Sequence, residues 1–105
     1  MSHKTYFIAI LTFGMLQSVH AEDTLEKGKQ VYNQACVMCH AAGISNAPIA
    51  HNTEQWQERK ESKGMDTLLK NAMSGLNQMP PMGLCAACSE EDLTSAIEYM
   101  MSETP

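Results

Sequence analysis

From residue 22 onward, apolar positions recur every three or four residues, and nowhere do they alternate over a run long enough for a strand. Leu25, Gly28, Val31, Tyr32 and Ala35 form the first such stripe. Asp23, with Glu26 three residues later, resembles a capping box, so a first helix is expected to start there and run into a cysteine-bearing segment. After the turn-rich stretch from Gly43 to Pro48, Asn52 or Thr53 can cap a second helix that carries Trp56 and Arg59 and ends at Gly64. Asp66 can open a third, with Leu68, Leu69, Ala72 and Met73, which stops near Gly75. Met79-Pro80-Pro81-Met82-Gly83 cannot continue a regular helix and predicts an extended loop. Ser89 and Asp92 open a last helix whose stripe is Leu93, Ala96, Ile97 and Met100. The pattern is all-α, with four short helices.

The start of the chain reads differently. Lys4 precedes an apolar run from Tyr6 to Leu16, too short to span a bilayer but of signal-peptide length. Val19 and Ala21 stand at the small-residue positions of a cleavage site. Residues 1–21 are therefore expected to be a signal peptide cleaved after Ala21, leaving one exported, periplasmic domain over residues 22–105; an uncleaved anchor is the alternative.

Composition narrows the picture. The 105 residues make one domain near the lower size at which a chain buries a sufficient core alone. With two Phe, three Tyr and one Trp but nine Met, the apolar content is adaptable and suits a large apolar ligand. Removing the leader takes away one of seven basic side chains, Lys4, and leaves six against twelve acidic ones, a balance of minus six. Nucleic acid is excluded as a natural partner. A basic or neutral protein surface suits such a chain, although acidity of this degree also serves solubility.

Cys36-Val37-Met38-Cys39-His40 is a Cys-x-x-Cys-His run of the kind that attaches haem c. Cysteines three apart lie on neighbouring positions of one helical turn, so both sulfurs can reach the vinyl groups on one side of a porphyrin. The following His40 can then turn its imidazole toward the iron. A covalent tether suits an exported protein, which cannot readily replace lost haem. Two alternatives use the same residues: a disulfide beside an incidental histidine, or, with Cys85-Ala86-Ala87-Cys88, a four-thiolate zinc site. Zinc leaves His40 and the methionine loop without a purpose.

A six-coordinate electron-transfer haem needs a second axial ligand, and a thioether beyond the motif raises the potential relative to a second imidazole. Met79 opens Met-Pro-Pro, where the prolines stiffen the loop that presents its sulfur; Met82 is its nearest rival. Met73, Met100 and Met101 sit on helical patterns and read as packing.

Taken together, Gly28-x-x-x-Tyr32-x-x-x-Cys36-x-x-Cys39-His40, Ala47-Pro48, Trp56 with Arg59, Gly75, Met79-Pro80-Pro81-x-Gly83, Cys85-x-x-Cys88 and Ala96-Ile97-Glu98-Tyr99-Met100 resemble the cytochrome c5 group of class I c-type cytochromes. The resemblance spans nearly the whole mature region. It implies a helical shell around one covalently bound haem c, with the first and last helices crossing at Gly28 near Tyr32 and Tyr99. It also implies that the Pro48 carbonyl accepts a hydrogen bond from His40. Cys85 and Cys88 would form a small structural disulfide beside the Met79 loop, and Trp56 and Arg59 would approach the haem propionates. Two features depart from the group: Met82 stands where Lys is frequent, and Ile49-Ala50-His51 replaces a glycine-containing turn, with His51 expected as a surface histidine.

The function expected is a one-electron carrier, iron cycling between Fe(II) and Fe(III) under His40 and Met79 ligation. No small-molecule substrate is bound. Its partners are redox proteins such as membrane respiratory complexes or terminal reductases, and the chain acts as a monomer or weak dimer. The alternatives are a haem enzyme that opens the Met79 position to peroxide or another small oxidant, and the zinc module.

Overall fold

Helix begins earlier than the capping pattern suggests. A computed structural model of the chain describes residues 19–103 together with Thr12 and Gly14; most of the expected leader, including nearly all of the run from Tyr6 to Leu16, lies outside the described residues. Helix α1 (Val19–Val31) already includes Asp23, so the expected capping box with Glu26 does not form. The residues before Asp23 continue the helical backbone, and their carbonyls take the N–H groups that a cap would otherwise satisfy.

The chain leaves α1 without a break through one π-helical turn (Tyr32–Cys36), where the Val37 N–H reaches back five residues to the Tyr32 carbonyl. Helix α2 (Val37–His40) follows directly. These three pieces form one rod, the first of the four expected helices.

The other three start and stop where their local chemistry says. Helix α3 (Thr53–Lys63) is capped by Asn52, whose side-chain oxygen accepts from the Gln55 N–H at 3.2 Å. Gly64 separates it from α4 (Met65–Ser74), which ends at Gly75. Helix α5 (Glu90–Met101) carries the full capping box: Asp92 N–H donates to Ser89 Oγ at 3.1 Å, and Ser89 N–H to the Asp92 carboxylate at 2.9 Å. Among the described residues there is no strand, only an isolated bridge between Leu76 and Met79. None of the described helices is long and apolar enough to cross a membrane.

Helix α1 packs chiefly on α5. Their crossing is at Gly28, where an added β-carbon would overlap the Ser95 carbonyl, and beside it the Tyr32 and Tyr99 rings meet at 5.4 Å. Val31, Tyr32, Ala96, Ile97, Tyr99 and Met100 are buried there, with Trp56 from α3 and Ala72 from α4 completing the cluster. On the surface Lys27 bonds Asp92 at 3.0 Å, tying the same two helices. Large apolar side chains nonetheless remain exposed, Met38 at 76% and Leu84 at 79%, so the protein interior alone does not cover the apolar surface on the side of the cysteine motif and the methionine loop.

Candidate functional site

The π-helical turn ends at Cys36 and delivers the motif to α2. Cys36 is buried and Cys39 exposed, and neither is bonded to another cysteine. His40, 8% exposed, is fixed from several sides. Its Nδ1 lies 2.7 Å from the Pro48 carbonyl. A carbonyl only accepts, so Nδ1 carries the proton and Nε2 keeps its lone pair. The Ala50 N–H donates to the His40 carbonyl at 2.8 Å, and the Trp56 ring stacks on the imidazole with centroids 5.7 Å apart and planes 28° from parallel. Burial pushes the imidazole below its ordinary value, the Pro48 hydrogen bond opposes that shift, and the nearby Arg59 charge adds to it. The result is a neutral ring with one nitrogen anchored and the other available as a donor, the state a metal-ligating histidine requires.

The segment behind His40 is built from polar contacts. Ile49 N–H donates to Gln55 Oε1 at 2.8 Å, and the Trp56 indole N–H donates to the Ile49 carbonyl at 3.0 Å. The one N–H donor of Trp56 thus serves the backbone that carries Pro48. Arg59 is half-buried, with Nη1 donating to the Gln55 carbonyl at 3.3 Å, and its charge is felt at His40. His51, expected at the surface, is half-buried and bonded to the end of α5. Gln55 and the Ile49 carbonyl carried no signal in the sequence, because each acts only when the segment folds back on α3.

Met79 stands on a tight turn in which Leu76 and Met79 exchange backbone hydrogen bonds of 3.1 and 2.9 Å. Gly75 makes this possible: at φ 87° and ψ 152°, a β-carbon there would sit 3.0 Å from the Met79 carbonyl oxygen and 3.1 Å from the Pro81 nitrogen. The Met79 side chain is half-buried against the cluster that contains Cys36 and Trp56. The short turn Pro81–Leu84 that follows touches the π-helical turn, so the methionine loop and the cysteine motif share one side of the molecule. Met82 is also half-buried, whereas Met73, expected as packing, is exposed at 36%.

Cys85 and Cys88 are joined as a disulfide with Cα atoms 5.4 Å apart. The Cys85 N–H donates to the Met82 carbonyl at 3.0 Å, which links the bridge to the methionine loop just before Ser89 caps α5. Among the described residues no three His, Cys, Asp or Glu side chains gather as a metal site. The second pair is spent on its own bond, so the four-thiolate zinc alternative is not formed. The donor set that remains, two free thiols and an imidazole with a free lone pair on one turn, fits haem c.

The family model described as cytochrome c oxidase, cbb3-type, subunit III matches residues 23–100. Cytochrome c5 of Azotobacter vinelandii is 43% identical over 74 residues, 70% of this chain and 89% of the relative. Cytochrome c5 of Ectopseudomonas mendocina is 46% identical over 66 residues, 62% and 76% respectively. A mono-haem ferrocytochrome c from Shewanella putrefaciens superposes with a TM-score of 0.62 at 46% identity, over 70% of this chain and 89% of that one. A chain in the crystal structure of an electron transfer complex of nitrite reductase with cytochrome c superposes with a TM-score of 0.64 at 39% identity, over 71% and 90%. The motif, the helical shell and these relatives agree, and the chain belongs to the monohaem class I cytochromes c of the c5 group, which are electron carriers.

Proposed function

We propose that this cytochrome is a periplasmic one-electron carrier whose haem c is tethered by Cys36 and Cys39 and ligated by His40 and Met79. The observation that carries the reading is the 2.7 Å bond from His40 Nδ1 to the Pro48 carbonyl, which leaves Nε2 as the donor atom beside two unbonded thiols. Haem c, when bound, supplies the Fe(II)/Fe(III) couple. The chain's own residues hold the surroundings constant while the charge changes. Trp56 stacks on His40 and keeps water from its face, and Pro48 fixes the plane of the ring. The Gly75 turn, Pro80 and Pro81 stiffen the loop that offers the Met79 sulfur, and the Cys85–Cys88 bridge secures its far end. Little rearrangement on gaining or losing an electron favours fast transfer.

In this reading residues 1–21 direct export and are removed, leaving residues 22–105 as the working domain. Partners are larger redox proteins, terminal reductases among them, for which the complex of a similar chain with nitrite reductase is the supporting precedent. The test is intact mass and visible spectra of the protein from a haem-maturing host, with Met79→Ala and Met82→Ala alongside. One haem per chain, and a thioether charge-transfer band lost in Met79→Ala only, are expected. A bare polypeptide mass overturns the haem reading; a band lost in Met82→Ala instead moves the ligand.

A further inference from the structure

His51 stands in the left-handed backbone region at φ 69°, which glycine enters freely and a residue with a β-carbon enters at a cost. Its contacts account for the exception. The His51 N–H donates to the Met100 carbonyl at 2.7 Å, Nδ1 lies 2.9 Å from the Ser102 carbonyl, and the ring meets Tyr99 edge-on at 4.7 Å. All three partners belong to the C-terminal end of α5, where a helix leaves its last carbonyls without internal donors. His51 thus caps α5 from another part of the chain, and its Nδ1 must carry the proton to do so.

The same residue closes the segment that holds His40. Pro48, three residues earlier, accepts the His40 Nδ1–H; Ile49 is latched to Gln55 and Trp56 of α3; Ala50 donates to the His40 carbonyl. These bonds tie the segment to α2 and α3, and His51 ties it to α5. We propose that His51 is a positioning residue for His40: by clamping residues 47–51 onto the end of α5, it keeps the Pro48 carbonyl on Nδ1 and so sets the donor strength of Nε2. This rests on the reading of His40 as the haem ligand. A firm Nδ1–H bond makes an imidazole a stronger donor and favours ferric iron; a loosened segment shifts the balance toward the ferrous form.

The test uses three variants of the holoprotein. His51→Asn keeps a donor at the δ position and a residue tolerant of positive φ. His51→Phe keeps a ring for Tyr99 without the donor, and His51→Gly relieves the backbone and removes both contacts. The readouts are the reduction potential and the solvent exchange of the His40 ring N–H in the reduced protein. His51→Asn should stay within about twofold of the unaltered protein in the ferric–ferrous equilibrium. His51→Phe and His51→Gly should each move it about three- to tenfold toward the ferrous form, up to about 59 mV, with faster exchange of the ring proton. Folded Phe and Gly variants with unaltered potential and exchange overturn the proposal, as does a shift of equal size in His51→Asn. Failure of both to give folded holoprotein also overturns it, by making His51 a folding determinant. A haem-free unaltered protein would instead overturn the ligation reading itself.

Discussion

The backbone of Gly28 lies against Ser95 so closely that a β-carbon at position 28 would overlap the Ser95 carbonyl oxygen and stand 2.8 Å from Tyr99 Cβ. Alanine has the better helix propensity, by about 1 kcal/mol. Overpacking of about 1–3 kcal/mol opposes it, and here the clash is with backbone, which yields least. Gly28→Ala is therefore expected to lower stability by about 2 kcal/mol, read as a lower denaturant midpoint of the holoprotein. A higher midpoint would mean that α1 and α5 do not approach so closely.

Gly75 holds a backbone conformation that other residues enter at about 1–3 kcal/mol, and its missing side chain admits the Met79 carbonyl. Gly75→Ala should lose that much stability and displace the loop. Under the proposed Met79 ligation, the reduced variant is expected to bind carbon monoxide faster than the unaltered protein, because a displaced thioether would leave the iron open. Equal rates would separate the Gly75 turn from presentation of Met79.

The Cys85–Cys88 bridge closes a very short loop, so its chain-entropy contribution is small, about 2 kcal/mol. A Cys85→Ser, Cys88→Ser double variant should keep its haem and unfold at lower urea concentration. With the iron already held ferrous by ascorbate, adding a thiol reductant should lower the midpoint of the unaltered protein toward that of the variant while leaving the variant's unchanged. A variant midpoint that moves equally with reductant places the sensitivity elsewhere.

Asp92 accepts from the Ser89 backbone N–H and from Lys27, causes that hold its carboxyl below the ordinary 3.8. A depressed carboxylate stabilises the folded state fully above pH 3.8, and the contribution fades as pH falls through the folded value. For Lys27 the Asp92 hydrogen bond raises the amine above 10.5, so that contribution persists below pH 10.5 and fades as pH rises further. Asp92→Asn should lower the thermal midpoint by a constant amount between about pH 5 and pH 9. The gap should close under more acid conditions. A gap that widens in acid contradicts this sign.

What could be read beforehand was whatever is set by neighbours in sequence. Asn52 and Ser89 cap the helices they precede because a short polar side chain reaches the N–H groups three residues on, whatever surrounds it. Gly64 and Gly75 end helices for equally local reasons. The Cys-x-x-Cys-His run announces its chemistry because the tether needs that spacing. Asp23 misled, since a capping pattern signals only where the preceding chain is not already helical. Trp56 and His51 were opaque for a different cause: which acceptor an indole or imidazole N–H finds depends on how residues 47–52 fold back. That is decided by tertiary packing.

Gly28, Tyr32, Cys36 and His40 follow one another at intervals of four, and all are buried. In an unbroken α-helix each such interval drifts about 40° around the axis, so the series would spiral away from the core. The wide turn over Tyr32–Cys36 unwinds part of that drift and brings the seam against α5 into phase with the imidazole. Winding the same residues as ordinary α-helix, with no change of length, would swing the downstream motif through about 100°. Asn33 and Gln34, both exposed, are thus free to vary in kind, while the wide turn they occupy sets the phase of the motif downstream.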